Sequence, residues 1–168
     1  MFSLMAIAFF AARMLVTSAA YVTEEQSVEE VLPAIDAIPE GSRVAFFATV
    51  SCKGSWKMPV LAHMGGVALA RRNVFVNSMW KVPGVNPMNV NYPAAAPFEH
   101  DPSQFVHARR CKKPHFLNLS QALARLPQNA FTHVWIVGEL PDRLPVPQGM
   151  KPIPHAGKGA LFEVTRSR

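Results

Sequence analysis

The sequence lacks the short motifs that commonly identify an enzyme. Neither glycine-rich phosphate-binding pattern, G-x-x-x-x-G-K-[ST] or G-x-G-x-x-G, occurs in the 168 residues, which argues against a nucleotide-binding loop. Only five acidic residues follow Glu40, and they offer no paired carboxylates for acid–base catalysis. The two cysteines and six histidines match no standard zinc spacing. Motifs therefore predict no catalytic residue, no metal and no cofactor.

Charged residues are scarce, at 17% of the chain, and most of them are basic. Seventeen lysines and arginines against 11 acids give a net charge of +6, which favours an anionic partner. The basic residues are concentrated in Arg71–Arg72, in residues 109–113 and in the C-terminal tail. Because aromatic residues are not interleaved with them as in a nucleic-acid-binding motif, nucleic acid is not a predicted partner.

One long apolar run occupies the N-terminus. Arg13 is the only charged residue among residues 1–22, and a helix of about 20 residues is roughly 30 Å long, the thickness of a bilayer core. A secretory signal peptide needs a basic segment before its apolar run, and none is present. We therefore predict a retained transmembrane helix over residues 1–22. Because Arg13 is costly in lipid unless other helices shelter it, this helix is expected to be the last span of a larger bundle, or else an anchor.

The flank after this helix is acidic. Residues 24–30 contain four glutamates, and no basic residue occurs between Tyr21 and Arg43. Because cytoplasmic flanks are enriched in lysine and arginine, residues 23–168 are predicted to form an extracytoplasmic domain at a bacterial inner membrane. Cys52 and Cys111 are a candidate disulfide in that compartment. Two free, buried thiols are the alternative.

The rest of the chain alternates between strand and helix patterns, which predicts a small, mainly parallel α/β sheet with flanking helices. Short apolar runs predict strands at residues 43–50, 73–80, 131–138 and 159–165. Apolar periodicity predicts helices near residues 27–38, interrupted by Pro33, and at 59–72 and 118–126. Asn118 and Gln121, three positions apart, have the spacing of a cap at the beginning of the last helix. Residues 150–155 are expected to form an antiparallel edge hairpin with the last strand. The Pro-rich segment 81–115 is predicted to be a connection, with one short helix capped at 101–104.

Ligands of an open α/β sheet bind beyond the carboxyl ends of its strands. The loop of residues 52–56 follows the first predicted strand, and Trp80 follows the second. The candidate ligand-binding side chains in this part of the chain are His63, Arg71, Arg72, Trp56 and Trp80. We expect His63, Arg71, Arg72 and the loop of residues 52–56 to lie near one end of the sheet. At least one arginine would pair with an anionic group, because a guanidinium binds phosphate or carboxylate through two parallel hydrogen bonds. The alternative is that Arg71–Arg72 only complement the dipole at a helix end.

Several phrases of the sequence are similar to a known group of proteins. They are IPEGSRVAFF (38–47), ALARRNVFVN (68–77), DPSQ (101–104), ALARLPQNAFTHVWIVG (122–138) and GKGALFEV (157–164). With these phrases the chain resembles the C-terminal soluble domain of polytopic bacterial membrane proteins, which are grouped loosely with integral-membrane glycosyltransferases that use lipid-phosphate sugars. The resemblance covers nearly the whole chain. It implies membrane lipids or a lipid-linked phosphate sugar as ligands, and other transmembrane helices as partners.

The resemblance also implies what this chain does not do alone. In such transferases the catalytic acid lies in an early extracytoplasmic loop, and this sequence contains no counterpart of that loop. The chain is therefore expected to be a truncated or split piece that acts as a non-catalytic accessory domain. Two alternatives are a single-anchor periplasmic hydrolase or thiol enzyme using Cys52 and His63, and a periplasmic binding module without chemistry.

Overall fold

A buried pair of parallel strands forms the centre of the sheet. The computed structural model describes residues 2–53, 59–82, 84–85, 90–144 and 146–165. In it β1 (Arg43–Val50) pairs in parallel with β4 (His133–Val137), from Val44 opposite His133 to Ala48 opposite Val137. All five residues of β4 are buried. The near-continuous apolar sequence of both strands is what a strand covered on both faces requires.

The other edge of β1 is shared by two short strands. β2 (Phe75–Val76) pairs in parallel with the beginning of β1, and β3 (Phe105–His107) pairs in parallel with its end. Between them the buried side chain of Asn77 takes the place of a strand, because its Oδ1 accepts a hydrogen bond of 2.7 Å from the Phe46 backbone N–H. One buried amide thus satisfies a β1 donor that would otherwise lose its partner.

The C-terminal part of the chain completes the sheet with antiparallel strands. β6 (Ala160–Val164) pairs with β4, and β5 (Met150–Pro152) pairs with β6 at the edge. The strand order is β2-β1-β4-β6-β5, with β3 beside β2 on β1. The predicted fold class, a mainly parallel α/β sheet with an antiparallel C-terminal hairpin, is confirmed.

Helices cover both faces of this sheet. On one face α2 (Pro33–Asp36) and α3 (Met64–Arg72) pack with the end of the N-terminal helix over Phe46 and Trp135. On the other face α4 (Leu119–Arg125) packs over Phe47 and Ile136. Because alternate residues of β1 point to opposite faces, Phe46 and Phe47 each anchor a separate apolar cluster.

The N-terminal helix α1 (Phe2–Val31) is 30 residues long, or about 45 Å. The described residues contain one stretch that is long and apolar enough to cross a membrane, Leu4–Asp36, and its most apolar 18 residues have a mean hydropathy of 1.6 with none of them buried. Arg13 lies on this exposed part. As predicted, Pro33 interrupts the helical segment: α1 ends at Val31 and α2 begins at Pro33.

The end of α1 is fixed at the carboxyl end of the parallel strands. The Lys158 backbone N–H donates to the Glu30 carbonyl at 2.6 Å, and the Lys158 Nζ lies 2.8 Å from the Glu30 carboxylate. Lys158 precedes β6, whose first residue pairs with Ile136 near the end of β4. The chain then passes through α2 to the opposite end of the sheet, where β1 begins. α1 therefore leaves the domain on the side of the strands' carboxyl ends.

Two local predictions in the Pro-rich segment are wrong. Residues 101–104 form turns rather than a capped helix, and Phe105–His107 is a strand that the sequence pattern did not indicate. Of the strand predicted at 73–80, only Phe75–Val76 pairs with β1. A strand of two or three residues shows no periodicity of its own, so pairing with β1 decides its conformation.

The glycine pair at the beginning of α3 offers a matched test of this packing. A Cβ on Gly65 would lie 3.0 Å from the buried Phe46 ring and overlap the Ser78 hydroxyl, whereas a Cβ on Gly66 would meet nothing within 4 Å. Gly65→Ala is expected to destabilise the protein by about 1–3 kcal/mol through overpacking. Gly66→Ala should stabilise it by about 0.5–1 kcal/mol, because alanine loses less backbone entropy in a helix. Thermal melting of the full chain in detergent compares the two; equal shifts would contradict the packing described.

Candidate functional site

A disulfide joins two loops at the carboxyl end of the sheet. Cys52 follows β1 and Cys111 follows β3, and these residues, 59 positions apart in sequence, are bonded with their Cα atoms 5.5 Å apart. The parallel pairing of β1 with β3 brings both loops to the same edge, since Val50 lies opposite His107. The described part of the chain contains no free cysteine.

His107, the last residue of β3, lies beside this disulfide. One of its ring nitrogens and the two cysteine sulfurs lie within 4.8 Å of one another. The side chain is only 3% exposed. Its Nδ1 lies 3.1 Å from the Val50 carbonyl oxygen, which can only accept, so Nδ1 carries the proton and donates it. The other ring nitrogen, Nε2, is buried without a hydrogen-bond partner among the described residues, at a cost of about 1–3 kcal/mol.

A cleft of about 420 Å³ opens at this edge of the sheet. It is lined by His107, Arg110, Cys111, Lys112, Pro114, Asn118 and Gln121. Asn118 and Gln121 form the capping box of α4: the Gln121 N–H donates to Asn118 Oδ1 at 2.9 Å, and the Asn118 N–H donates to Gln121 Oε1 at 3.3 Å. The cap predicted from the sequence is confirmed. Within the described part of the chain only the oxygens of these two amides make hydrogen bonds, so both NH₂ groups can donate to a ligand.

The charge at this edge is mostly positive. Arg109 pairs with Glu139 at 2.8 Å, but both side chains are largely exposed, so the pair contributes little to stability. In the residues that the structure describes, no acid lies within salt-bridge distance of Arg110 or Lys112. These two cations, set beside amide donors, make the cleft suited to an anion.

The predicted ligand-binding residues do not form one site. His63 ends a 3-10 turn (Val60–His63) after β1 and is exposed, and Trp80 follows β2 with 61% of its side chain exposed. Arg71 and Arg72 end α3 at the opposite, amino end of the sheet. Trp56 lies outside the described residues.

The expectation that the arginine pair lies with the Cys52 loop is therefore wrong. The Arg72 Nε donates to the Ile38 carbonyl at 2.8 Å, and the Arg72 carbonyl accepts from the Gly41 N–H at 3.2 Å. A helix between two parallel strands runs antiparallel to them, so its C-terminal residues return to the end where the strands begin. Arg71 and Arg72 therefore lie about one strand length away from Cys52, although they are only about 20 positions from it in sequence.

A second, wider cleft lies at that amino end. It has a volume of about 610 Å³ and is lined by Glu40, Gly41, Ser42, Thr132, His133, Glu163, Val164 and Thr165. Burial lowers the pKa of His133, and the nearby Glu163 carboxylate partly opposes this. His133 is therefore neutral at neutral pH, and the formal charges of the lining are two carboxylates. Among the residues that the structure describes, the lining of this cleft carries no lysine or arginine to pair with an anionic ligand.

Sequence reasoning missed the cleft around His107, because the cysteines and histidines of the chain match no standard zinc spacing. The sequence contains one signal, the pair of His107 and Cys111 four positions apart. That spacing would bring two side chains together in a helix, but His107 lies at the end of a strand. The pairing of β3 with β1 creates the site. Comparison of the chain with protein-family models, with curated proteins and with solved structures finds no match.

The disulfide should make a large contribution to stability. Closing a loop of 59 residues is worth about 4 kcal/mol in the chain-entropy account. The double variant Cys52→Ser/Cys111→Ser is therefore expected to unfold at a lower denaturant concentration than the oxidised wild type. Wild-type protein kept under reductant in the absence of metal is the control and should unfold close to the double variant. An oxidised wild type no more stable than the double variant, with both thiols open to alkylation, would contradict the bond.

Proposed function

We propose that this chain is a non-catalytic extracytoplasmic domain, anchored in a bacterial inner membrane, of a glycosyltransferase-like membrane protein. Its role is to bind the phosphate of a lipid-linked sugar in the cleft at the carboxyl end of the sheet. The observation that carries the proposal is that this basic cleft and the apolar helix α1 lie at the same end of the domain. A ligand held in the bilayer by a lipid tail would present its phosphate on that side.

The distance between membrane and cleft is consistent with such a ligand. The apolar part of α1 ends near Val22, and residues 23–31 continue the helix for about 13 Å before it meets the domain. The four glutamates of residues 23–31 keep this segment out of the lipid. The contact of Glu30 with Lys158 fixes its C-terminal end to the domain. The proposal therefore places the cleft on the side of the domain that is nearer the headgroup region.

The lining of the cleft supports binding rather than chemistry. Arg110 and Lys112 supply positive charge, and the amides of Asn118 and Gln121 supply neutral donors. A guanidinium matches two phosphate oxygens at once, while an ammonium acts as a point charge. No carboxylate and no free thiol is among the described residues of the lining, so the cleft offers neither an acid–base pair nor a nucleophile of these kinds.

The proposed location outside the cytosol rests on two features. The disulfide at the cleft is typical of oxidising compartments, and the flank that follows the apolar helix is acidic. The alternative of a thiol enzyme built on Cys52 and His63 loses support, because Cys52 is bonded to Cys111 and the histidine beside it is His107. A binding module with another anionic ligand would use the same cleft.

Charge removal at the cleft should weaken phosphate binding. For Arg110→Gln/Lys112→Gln we expect the affinity for a polyprenyl monophosphate to fall roughly tenfold or more, since two charge-assisted hydrogen bonds are lost. The measurement is titration of the full chain in neutral detergent micelles at two salt concentrations. The wild type should show the steeper salt dependence.

The matched control removes the same charge at the opposite end of the sheet. Arg71→Gln/Arg72→Gln should leave the affinity within about twofold of wild type if the cleft is the site. Titration with inorganic phosphate and with a phosphatidylglycerol micelle separates recognition of a free phosphate or of any anionic headgroup from recognition of the prenyl phosphate. Equal losses in both double variants, or a loss in neither, would contradict binding at this cleft.

The location is tested separately with reporters fused after Arg168. Alkaline phosphatase is expected to be active and a cytoplasm-dependent fluorescent protein dark, because the domain follows a helix whose acidic flank is exported. The same fusions lacking residues 1–22 are the control and should reverse both signals. An inactive phosphatase on the full chain, or a mature protein beginning near Tyr21, would contradict a retained helix with an exported domain.

A further inference from the structure

Three metal-ligating side chains meet at the carboxyl end of β1 and β3. The sulfurs of Cys52 and Cys111 and a ring nitrogen of His107 lie within 4.8 Å of one another. His107 is buried, and its Nε2 has no hydrogen-bond partner among the described residues. The disulfide accounts for the two sulfurs, but nothing in the described part of the chain accounts for a buried imidazole whose Nε2 makes no hydrogen bond.

We propose that reduction of the Cys52–Cys111 disulfide converts this corner into a zinc site. The two thiolates and His107 Nε2 supply three ligands, and a water molecule or an anion from the adjoining cleft supplies the fourth. This set of soft sulfur and imidazole ligands in a tetrahedral arrangement is the one that Zn²⁺ prefers. The inference goes beyond the proposed function and does not depend on lipid-phosphate binding.

The imidazole is already arranged as a ligand. A metal-binding histidine usually donates its other ring N–H to a backbone carbonyl or a carboxylate, which fixes the tautomer and the ring orientation. In this structure Nδ1 makes that bond to the Val50 carbonyl at 3.1 Å. The Phe116 ring, with its centroid 5.9 Å from that of the imidazole, packs beside it. This hydrogen bond and the ring packing hold the imidazole, and with it the unpartnered Nε2, in a fixed orientation.

The two sulfurs can reach a shared ion without a large movement of the backbone. Thiolates bound to one zinc lie about 3.8 Å apart, given Zn–S bonds of about 2.3 Å, and the Cα atoms of Cys52 and Cys111 are 5.5 Å apart. Side-chain rotation is enough for that separation. Two thiolates would neutralise the charge of the Zn²⁺ that they share.

The conversion has a defined balance. A thiol reductant of the dithiol class attacks the exposed sulfur of Cys52, the S–S bond breaks, and the dithiol becomes a disulfide while the protein gains two electrons and two protons. Zn²⁺ then binds both sulfurs and His107, and the two thiol protons are released to solvent. The oxidised and zinc-bound states exclude each other because they use the same sulfurs. The corner would therefore hold metal only where a reductant is supplied.

Metal loading of the full chain in detergent tests the proposal. Protein reduced with a phosphine, which is then removed under inert gas, is expected to retain about one zinc per chain after gel filtration, whereas oxidised protein retains none. Cobalt added to the reduced protein should give the thiolate charge-transfer and tetrahedral ligand-field bands of a sulfur-containing site. Reduced protein that retains no zinc would overturn the proposal.

Variants distinguish the built site from two adventitious thiols. His107→Gln should weaken zinc binding roughly 100-fold, while His107→Cys, which restores a ligand, should bind within about tenfold of wild type. His63→Gln, at the exposed histidine of a neighbouring loop, is the matched control and should bind as wild type does. Equal affinity in His107→Gln would overturn the role of the imidazole.

Circular dichroism during the same titration controls for folding. If the reduced protein loses structure, adding zinc should restore the structure of the wild type, because metal that binds only the folded site stabilises the folded state. Zinc should not restore the structure of Cys52→Ser/Cys111→Ser, which lacks the sulfur ligands. A reduced wild-type protein that stays unfolded with zinc present would count against the site.

Discussion

The parallel pairing of β1 with β4 is the constraint on which the rest of the structure depends. Both strands are buried on both faces, so each supplies side chains to two apolar clusters, with Phe46 and Trp135 on one side and Phe47 and Ile136 on the other. The pairing also fixes which loops meet, because residues that end parallel strands share one edge of the sheet. The disulfide, His107 and the basic cleft all lie where β1, β3 and β4 end.

The lengths of the strands concentrate the polar groups at that edge. β1 is longer than any strand that pairs with it, so its beginning is matched by β2 and its end by β3. Between these the Asn77 amide satisfies the Phe46 N–H. At the end of β4, Gly138 adopts a positive φ of 92°, and its missing side chain leaves room for Thr49, whose hydroxyl donates to the Val137 carbonyl at 3.2 Å. A short strand needs such side-chain substitutes because it has few ladder bonds of its own.

Much of the fold could be predicted from local patterns. The runs at 43–50 and 131–138 are almost continuously apolar and bounded by turn residues, so their burial as parallel strands follows from composition. The Asn118–Gln121 cap was read from spacing alone, because its hydrogen bonds join residues three positions apart. The strand Phe105–His107 could not be predicted, because a strand of three residues is too short to show a periodic pattern. Only pairing with β1 makes these residues a strand.

The candidate site is formed by residues that are distant in sequence and close in space, so the sequence indicated it only in part. Composition determined that one helix is apolar enough for a bilayer and that the chain is basic, because these properties add up residue by residue. Tertiary structure decided which basic residues lie at the cleft. Helix α3 runs back along the sheet and places Arg71 and Arg72 at the end opposite the Cys52 loop. The pairing of β3 with β1 brings His107 beside Val50, 57 positions away in sequence, at the end of the sheet where the Cys52 loop lies. Such residues come together only through backbone pairing between distant segments, and local sequence patterns do not predict which distant segments pair.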